Sequence, residues 1–213
     1  MENISAGWEL FHKGGLVMYV LLLCSLFVAA IGLERWQYFR RLDSGRAFAR
    51  DFYARLMAGE YSRALSALQE NKGVTAKIML QAVGRATRGL DITSFMEIQS
   101  GIALSGFRRR LYYLNVIVTM APLLGLLGTI SGMISAFSVF NVQSAKASAI
   151  TGGVGEALIA TAFGLCVAIM ALAFHAFFAQ WVENIVTDME QCFSLLEEKS
   201  GDLAKAGAGH ETA

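Results

Sequence analysis

The sequence predicts an all-α membrane protein: three transmembrane helices and a helical cytoplasmic domain. Three observations carry that fold class. Uncharged apolar runs cover residues 16–33, 111–140 and 157–182, and about 20 apolar residues let a helix cross a hydrocarbon core. The chain is 55% hydrophobic and 16% charged, with a mean hydropathy of +0.48, poorer in charge than an ordinary soluble domain. Period-two alternation is missing while Ala, Leu, Met and Gly dominate, which points away from strands.

Residues 1–15 read as an outer amphipathic leader, with Trp8, Phe11 and His12 suited to a membrane surface. The first transmembrane helix is assigned to 16–34. Basic residues follow it at once, at Arg35, Arg40 and Arg41. A cleaved signal peptide carries its basic residues before the apolar core. The opposite order here puts the N-terminus outside and residue 40 in the cytoplasm, with Trp36 and Tyr38 as interfacial anchors.

Residues 35–110 read as a cytoplasmic helical segment. Of the 18 Lys and Arg, 14 lie in it. They are spread out and interleaved with acids, so they fit solvated helix faces and a topology signal, and nucleic acid is not an expected partner. Apolar residues recur at helical spacing in three stripes: Phe48, Phe52 and Leu56; Tyr61, Ala64, Leu65 and Leu68; then Ile78, Met79, Ala82, Val83 and Ala86. Gly59, Gly73 and Gly89 punctuate them. Ser94 and Glu97 have capping-box spacing, so a new helix is expected near residue 94. Arg108, Arg109 and Arg110 mark its arrival at the membrane.

The second transmembrane helix is assigned to 111–140, a short periplasmic loop to 141–155 and the third helix to 156–182. Val186, Met189, Phe193 and Leu196 repeat at 3-4-3 spacing, so a cytoplasmic helical extension over 183–200 should carry an apolar seam. Residues 201–213 are rich in Gly and Ala and are expected to be disordered. Cys24, Cys166 and Cys192 have no metal-ligand spacing and read as packing residues. His175 reads as interfacial, with a proton relay as the alternative, and His12 and His210 look peripheral. No nucleophile–base pair, phosphate loop or metal cluster is visible, so neither an enzyme nor a cofactor is expected.

Spans two and three share a design. Gly125, Gly128 and Gly132 expose backbone on one helix, and Ala160, Gly164 and Ala168 form a small-xxx-small row on the other. Such rows let helices approach closely. Thr129 and Thr161 lie near these faces. If both faces point at one axis, the threonines place hydroxyls in a narrow lining. Back-bonding to a carbonyl one turn earlier is the plainer alternative. Glu156 heads span three. A carboxylate there marks an ion path or a buried pair, or answers the helix dipole at the water surface.

The segments APLLGLLGTISGMISAF at 121–137 and GEALIATAFGLCVAI at 155–169 resemble the ExbB/TolQ/MotA family of energy-transducing membrane proteins. The chain is most similar to the ExbB and TolQ branches. The resemblance implies a homo-oligomeric ring, a pentamer, whose pore encloses the transmembrane helices of a dimeric ExbD/TolR-type partner with a protonatable Asp. It implies an inner-membrane location and proton flow that drives a TonB- or TolA-type protein. By the same motifs, Thr129 and Thr161 become pore-lining threonines and Glu156 the carboxylate at the head of span three. The chain departs from the family pattern at Met170, where Pro is usual, and at His175 and Ala176, where a Tyr-Asn pair is frequent. A TolQ-like role in envelope integrity and division, a sodium-driven motor and a non-conducting scaffold are the alternatives.

Overall fold

The computed structural model describes residues 15–140 and 147–202. The expected leader up to residue 14, His12, His210 and the tail from 203 lie outside the described residues. Seven helices make up what is described: α1 (Gly15–Leu42), α2 (Arg46–Met57), α3 (Tyr61–Glu70), α4 (Val74–Ala86), α5 (Thr93–Arg108), α6 (Leu111–Phe140) and α7 (Ala147–Glu198). No strand occurs among the described residues. Three helical stretches are long and apolar enough to cross a membrane. The chain divides into two compact units, one of Met1–Glu34 with Arg110–Phe177 and one of Arg35–Arg109 with Phe178–Ala213.

In the first unit, α1, α6 and α7 bury stripes at helical spacing. Those of α1 are Met18, Leu21, Val28 and Ile31, those of α6 run through Leu114, Ile117 and Ala121, and those of α7 are Ala160, Val167 and Ala171. Outward positions are as apolar as inward ones, with Leu16, Leu23, Leu123, Ile134, Leu158 and Ile169 all more than 60% exposed. A helix with apolar residues all round lacks a water-facing side, as expected of a span. Gly32 makes room for the Phe174 ring, whose nearest carbon is 3.2 Å from where a Cβ would stand. Phe27 meets Tyr113 edge-to-face, with ring centroids 6.4 Å apart.

In the second unit, Phe39 is fully buried. Its ring stacks on Phe107 at 5.3 Å, Phe178 at 5.6 Å and Trp181 at 5.3 Å. The three expected stripes supply much of the rest: Phe52 and Leu56, then Ala64, Leu65 and Leu68, then Ile78, Met79, Ala82 and Val83 are buried. Phe48 and Ala86 sit at the half-buried edge. Gly59 and Gly89 end α2 and α4 with φ of 76° and 69°. Each is followed by a bond that reaches back five residues, Glu60 N–H to Arg55 O at 2.9 Å and Leu90 N–H to Arg85 O at 3.1 Å. That left-handed turn closes the last carbonyls and suits glycine.

Five expectations are corrected. Helix α5 is not capped by Ser94. The Asp91 carboxylate accepts from Thr93 N–H at 3.1 Å and Ser94 N–H at 3.3 Å, so the cap lies three residues earlier. The helix before span three begins at Ala147, so nine residues assigned to the 141–155 loop are helical; residues 141–146 lie outside the description. The apolar seam of the α7 extension runs through Val182, Ile185, Met189, Cys192 and Leu196. It shares Met189 and Leu196 with the expected seam, while Val186 and Phe193 flank it, half-buried. Tyr38 is turned into the chain, with the Arg35 guanidinium 4.5 Å above its ring and Phe107 edge-on at 5.8 Å. Of the cysteines, Cys192 is buried, Cys24 intermediate and Cys166 exposed, so the packing role does not extend to Cys166 within one chain.

Candidate functional site

Residues 121–136 of α6 and 153–164 of α7 run antiparallel and touch along their small residues. A Cβ on Gly164 would stand 2.6 Å from Ala121 O and 3.1 Å from Gly125 Cα. A Cβ on Gly125 would stand 2.9 Å from Thr161 Cα. Next along the contact, a Cβ on Gly128 would stand 2.6 Å from the Ala160 methyl, one on Gly132 2.8 Å from the Ala157 methyl, and one on Gly153 2.6 Å from the Ala136 methyl. These separations are closer than side chains allow, so the two helices meet backbone to backbone. The cause is the placement of residues without side chains at i, i+3 and i+7 on α6, matched by Ala157, Ala160 and Gly164 on α7. Ala168 continues the α7 row and is buried.

The hydroxyls follow from that approach. Thr161 Oγ1 donates to Gly125 O across the contact at 2.9 Å. Thr129 Oγ1 donates within its own helix to Leu126 O at 2.7 Å. The two threonines therefore behave differently. One bonds the facing helix, while the other takes the plainer back-bond. Both remain half-buried. Pro122 interrupts α6 one turn before this point and leaves the Val118 carbonyl without its usual helix donor.

The backbone of Glu156 lies in α7; its side chain lies outside the described residues. His175 is half-buried, fourteen positions beyond Thr161 on α7. The rows that reasoning from spacing singled out thus face each other within one chain, which replaces the picture of both rows facing a common axis. The same reasoning passed over Ala121, Ala136 and Gly153, although each extends a row by one more turn at the same spacing.

Charges are arranged in pairs in each unit. Arg110 is bonded to Glu34 within the first unit, and Arg108 pairs with Glu183 at 3.3 Å in the second. Both pairs are well exposed and contribute little to stability. Arg35 is buried and donates to Gly106 O at 3.1 Å and Phe107 O at 3.3 Å. That closes the C-terminal carbonyls of α5 with a positive charge, as the helix dipole favours. Asp43 accepts the Trp181 indole N–H at 2.6 Å and Gly45 N–H at 2.8 Å.

A family model described as the MotA/TolQ/ExbB proton channel family matches residues 59–191. The putative biopolymer transport protein ExbB-like 3 of Synechocystis sp. is 32% identical over 198 residues, which cover 89% of this chain and 90% of that protein. ExbB-like 1 of the same organism is 34% identical over 175 residues, covering 76% of this chain and 66% of that protein. The biopolymer transport protein ExbB of Salmonella typhimurium is 29% identical over 150 residues, 62% of each chain.

Proposed function

The chain belongs to the MotA/TolQ/ExbB proton channel family, and from that premise we propose that it builds the pore wall of a proton-driven motor in the inner membrane. It is a multi-pass membrane protein of a channel family rather than an enzyme family. In the proposed reading, copies of the chain form a ring, a pentamer, around the spans of a single-span, dimeric ExbD/TolR-type partner. Proton flow energises a TonB-type protein and so outer-membrane transport. The N-terminus is periplasmic and the C-terminus cytoplasmic.

The observation that carries this is the Thr161–Gly125 bond inside the glycine contact. It fixes a hydroxyl at a set position between two helices whose apolar runs hold no Asp, Glu, Lys or Arg. A wall of small residues and neutral oxygens has no charge to trap an ion, so the titrating group belongs on the guest. One elementary charge crossing a potential of about 100 mV is worth about 2.3 kcal/mol. That shifts a two-state equilibrium by roughly fiftyfold, enough to bias a conformational step. In this reading Thr129 and Thr161 line the path, and Glu156 sets the local field at its outer end.

The test is proton flux and proton-driven work in a complex co-expressed with the partner. Thr161→Val and Glu156→Ala are expected to cut flux at normal protein levels. Full activity of both would sink the assignment of these residues. A glycine contact of this kind would also serve a scaffold that conducts nothing, and absence of flux through the wild-type complex would select that reading. A TolQ-like role differs in the partner and the work done; complementation of an envelope-integrity defect rather than a TonB-dependent uptake defect would select it.

A further inference from the structure

The second unit carries a basic stretch that the topology signal leaves unexplained. Residues 71–90 hold Lys72, Lys77, Arg85 and Arg88 and no Asp or Glu. Positive residues set membrane orientation within about 15–20 residues of a span. All four lie outside that window, since the flanking apolar runs end at Leu33 and begin at Leu111. The helix dipole favours a cation in the last turn of α4 and so accounts for Arg85, but not for the stretch as a whole. Nor are these charges spent within the chain. In the two preceding helices Arg55 pairs with Asp51 and Arg63 with Glu60, whereas none of the four makes an ion pair among the described residues.

Two of the four cations share a groove with an aromatic ring. Gln81, Gly84 and Arg85 of α4, Arg88 just beyond it and Phe95 in the first turn of α5 line an open groove of about 360 Å³. The Arg85 guanidinium lies 4.7 Å from the centre of the Phe95 ring, and its Nε–H donates to Asp91 O at 3.5 Å. Stacking and that bond orient the planar fork and leave its Nη donors for a guest. Arg88 is exposed and adds a second cation. Gly84 has no atom within 4 Å of where a Cβ would stand, so a guest main chain can come close to α4. The Asp91 carboxylate feels the Arg85 charge but is occupied with the Thr93 and Ser94 amides. Glu97 lies two residues past Phe95, about 200° round α5. Beyond Phe95 the same face of α5 continues through Ile98 and Ile102, at i+3 and i+7, which are 61% and 62% exposed. These two parts choose among anions. Nucleic acid is held by many phosphate contacts along a basic track, and neither it nor a small free anion gains from the isoleucines. A peptide can use both, because a guanidinium fork takes a carboxylate in two parallel bonds and a stripe at helical spacing takes the apolar face of a helix.

We propose that the α4–α5 groove is a docking site for an acidic, amphipathic peptide segment of a partner protein, with its carboxylates on Arg85 and Arg88 and its apolar side chains on Ile98 and Ile102. Every residue of the site belongs to the second unit. The proposal does not depend on whether the chain conducts.

The test is fluorescence anisotropy of a labelled helical peptide of Glu and Leu with the full chain in phosphatidylcholine nanodiscs. Binding should weaken as added salt screens the exposed charges. Arg88→Gln is the main variant, because its side chain is exposed and the thermal midpoint should stay at the wild-type value. It should weaken binding about threefold, and together with Arg85→Gln about tenfold, in keeping with exposed ion pairs. Ile102→Ser should weaken it about fivefold through lost apolar burial. Arg63→Gln removes a charge elsewhere on the unit and should leave binding unchanged. Equal binding of a twin peptide with Gln in place of Glu, or equal losses in Arg63→Gln and Arg88→Gln, overturns the proposal. Displacement of the peptide by polyuridylate or by phosphatidylglycerol vesicles at lower charge concentration than by unlabelled peptide overturns it in favour of a nucleic acid or a membrane. No binding of either peptide overturns it too, and leaves the isoleucine face to a second copy of the chain.

Discussion

Adding one methyl group to Gly164 should open the contact on which the site is built. Its new Cβ would lie 2.6 Å from Ala121 O, 3.1 Å from Gly125 Cα and 3.2 Å from Gly125 N. All three are backbone atoms, so no rotamer change relieves them. Ordinary contact begins near 3.4 Å, and the helices must therefore part by about 0.8 Å at this level. The Thr161–Gly125 bond, 2.9 Å long, would then stretch to about 3.7 Å, too long for a hydrogen bond. Overpacking of this kind costs about 1–3 kcal/mol. An interhelical hydrogen bond in a membrane contributes about 0.6–1.7 kcal/mol. Alanine recovers up to about 1 kcal/mol in helix propensity, which leaves a net loss of about 1–3 kcal/mol.

The assay is reversible unfolding of the detergent-solubilised protein, comparing Gly164→Ala with Gly101→Ala. Gly101 lies within α5 with no atom within 4 Å of its would-be Cβ. There the same methyl should stabilise by about 0.5–1 kcal/mol, because it meets nothing and the unfolded chain loses freedom. Two identical substitutions should thus move stability in opposite directions. If Gly164→Ala is as stable as the wild type, the helices do not meet at this glycine.

Cys192 is buried and its thiol is pushed up to about 12 from 9.0, chiefly by burial, with Asp188 adding to it. At pH 8 the thiolate should be roughly a thousandfold scarcer than in an unfolded chain, so alkylation followed by peptide mass spectrometry should find Cys192 protected until the protein is unfolded; rapid labelling of the native protein would contradict its burial. The Asp91 carboxyl is held below its ordinary value of 3.8, first by the Ser94 hydroxyl and then by the Thr93 and Ser94 amides. Its stabilising effect is present above the ordinary value and is lost as pH falls through the lowered one. Asp91→Ala should accordingly lower the thermal midpoint at pH 7 more than Ser94→Ala does, and the Asp91→Ala difference should shrink on acidification; equal effects of the two variants would return the cap to Ser94.

Much of the helical architecture was legible because apolar periodicity and charge are strong local signals. The three stripes of 46–86 appear as buried faces, and Gly59 and Gly89 end their helices as expected. The errors fell where two local readings compete. Ser94 with Glu97 matches a capping box, but Asp91 reaches two free amides first. The run TGGVG reads as a loop, yet Gly153 is needed bare against Ala136, so its glycines serve a helix contact. The seam uses Ile185 and Cys192, each one position before the expected Val186 and Phe193. Adjacent apolar pairs such as Ile185 and Val186 fit either register, so spacing alone does not choose between them.

The small rows were legible as contact surfaces, but what each row contacts was not. At about 100° per residue, Ala121, Gly125, Gly128, Gly132 and Ala136 share one face of α6, and this face is spent on α7. Leu123, Leu127, Ile130 and Ile134 share the opposite face, each between 46% and 65% exposed. That face suits acyl chains, being apolar and without hydrogen-bonding groups. Thr129 falls about 60° from the centre of the small face by the same count, on a flank with Leu126 and Met133. Its hydroxyl hydrogen is used, and its lone pairs would lack donors against lipid. A single helix thus has one side for its own chain, one for lipid and a hydroxyl-bearing flank between them. Thr129 lies on that flank, bonded to Leu126 O of its own helix, while the glycine face holds the Thr161 hydroxyl against Gly125 O.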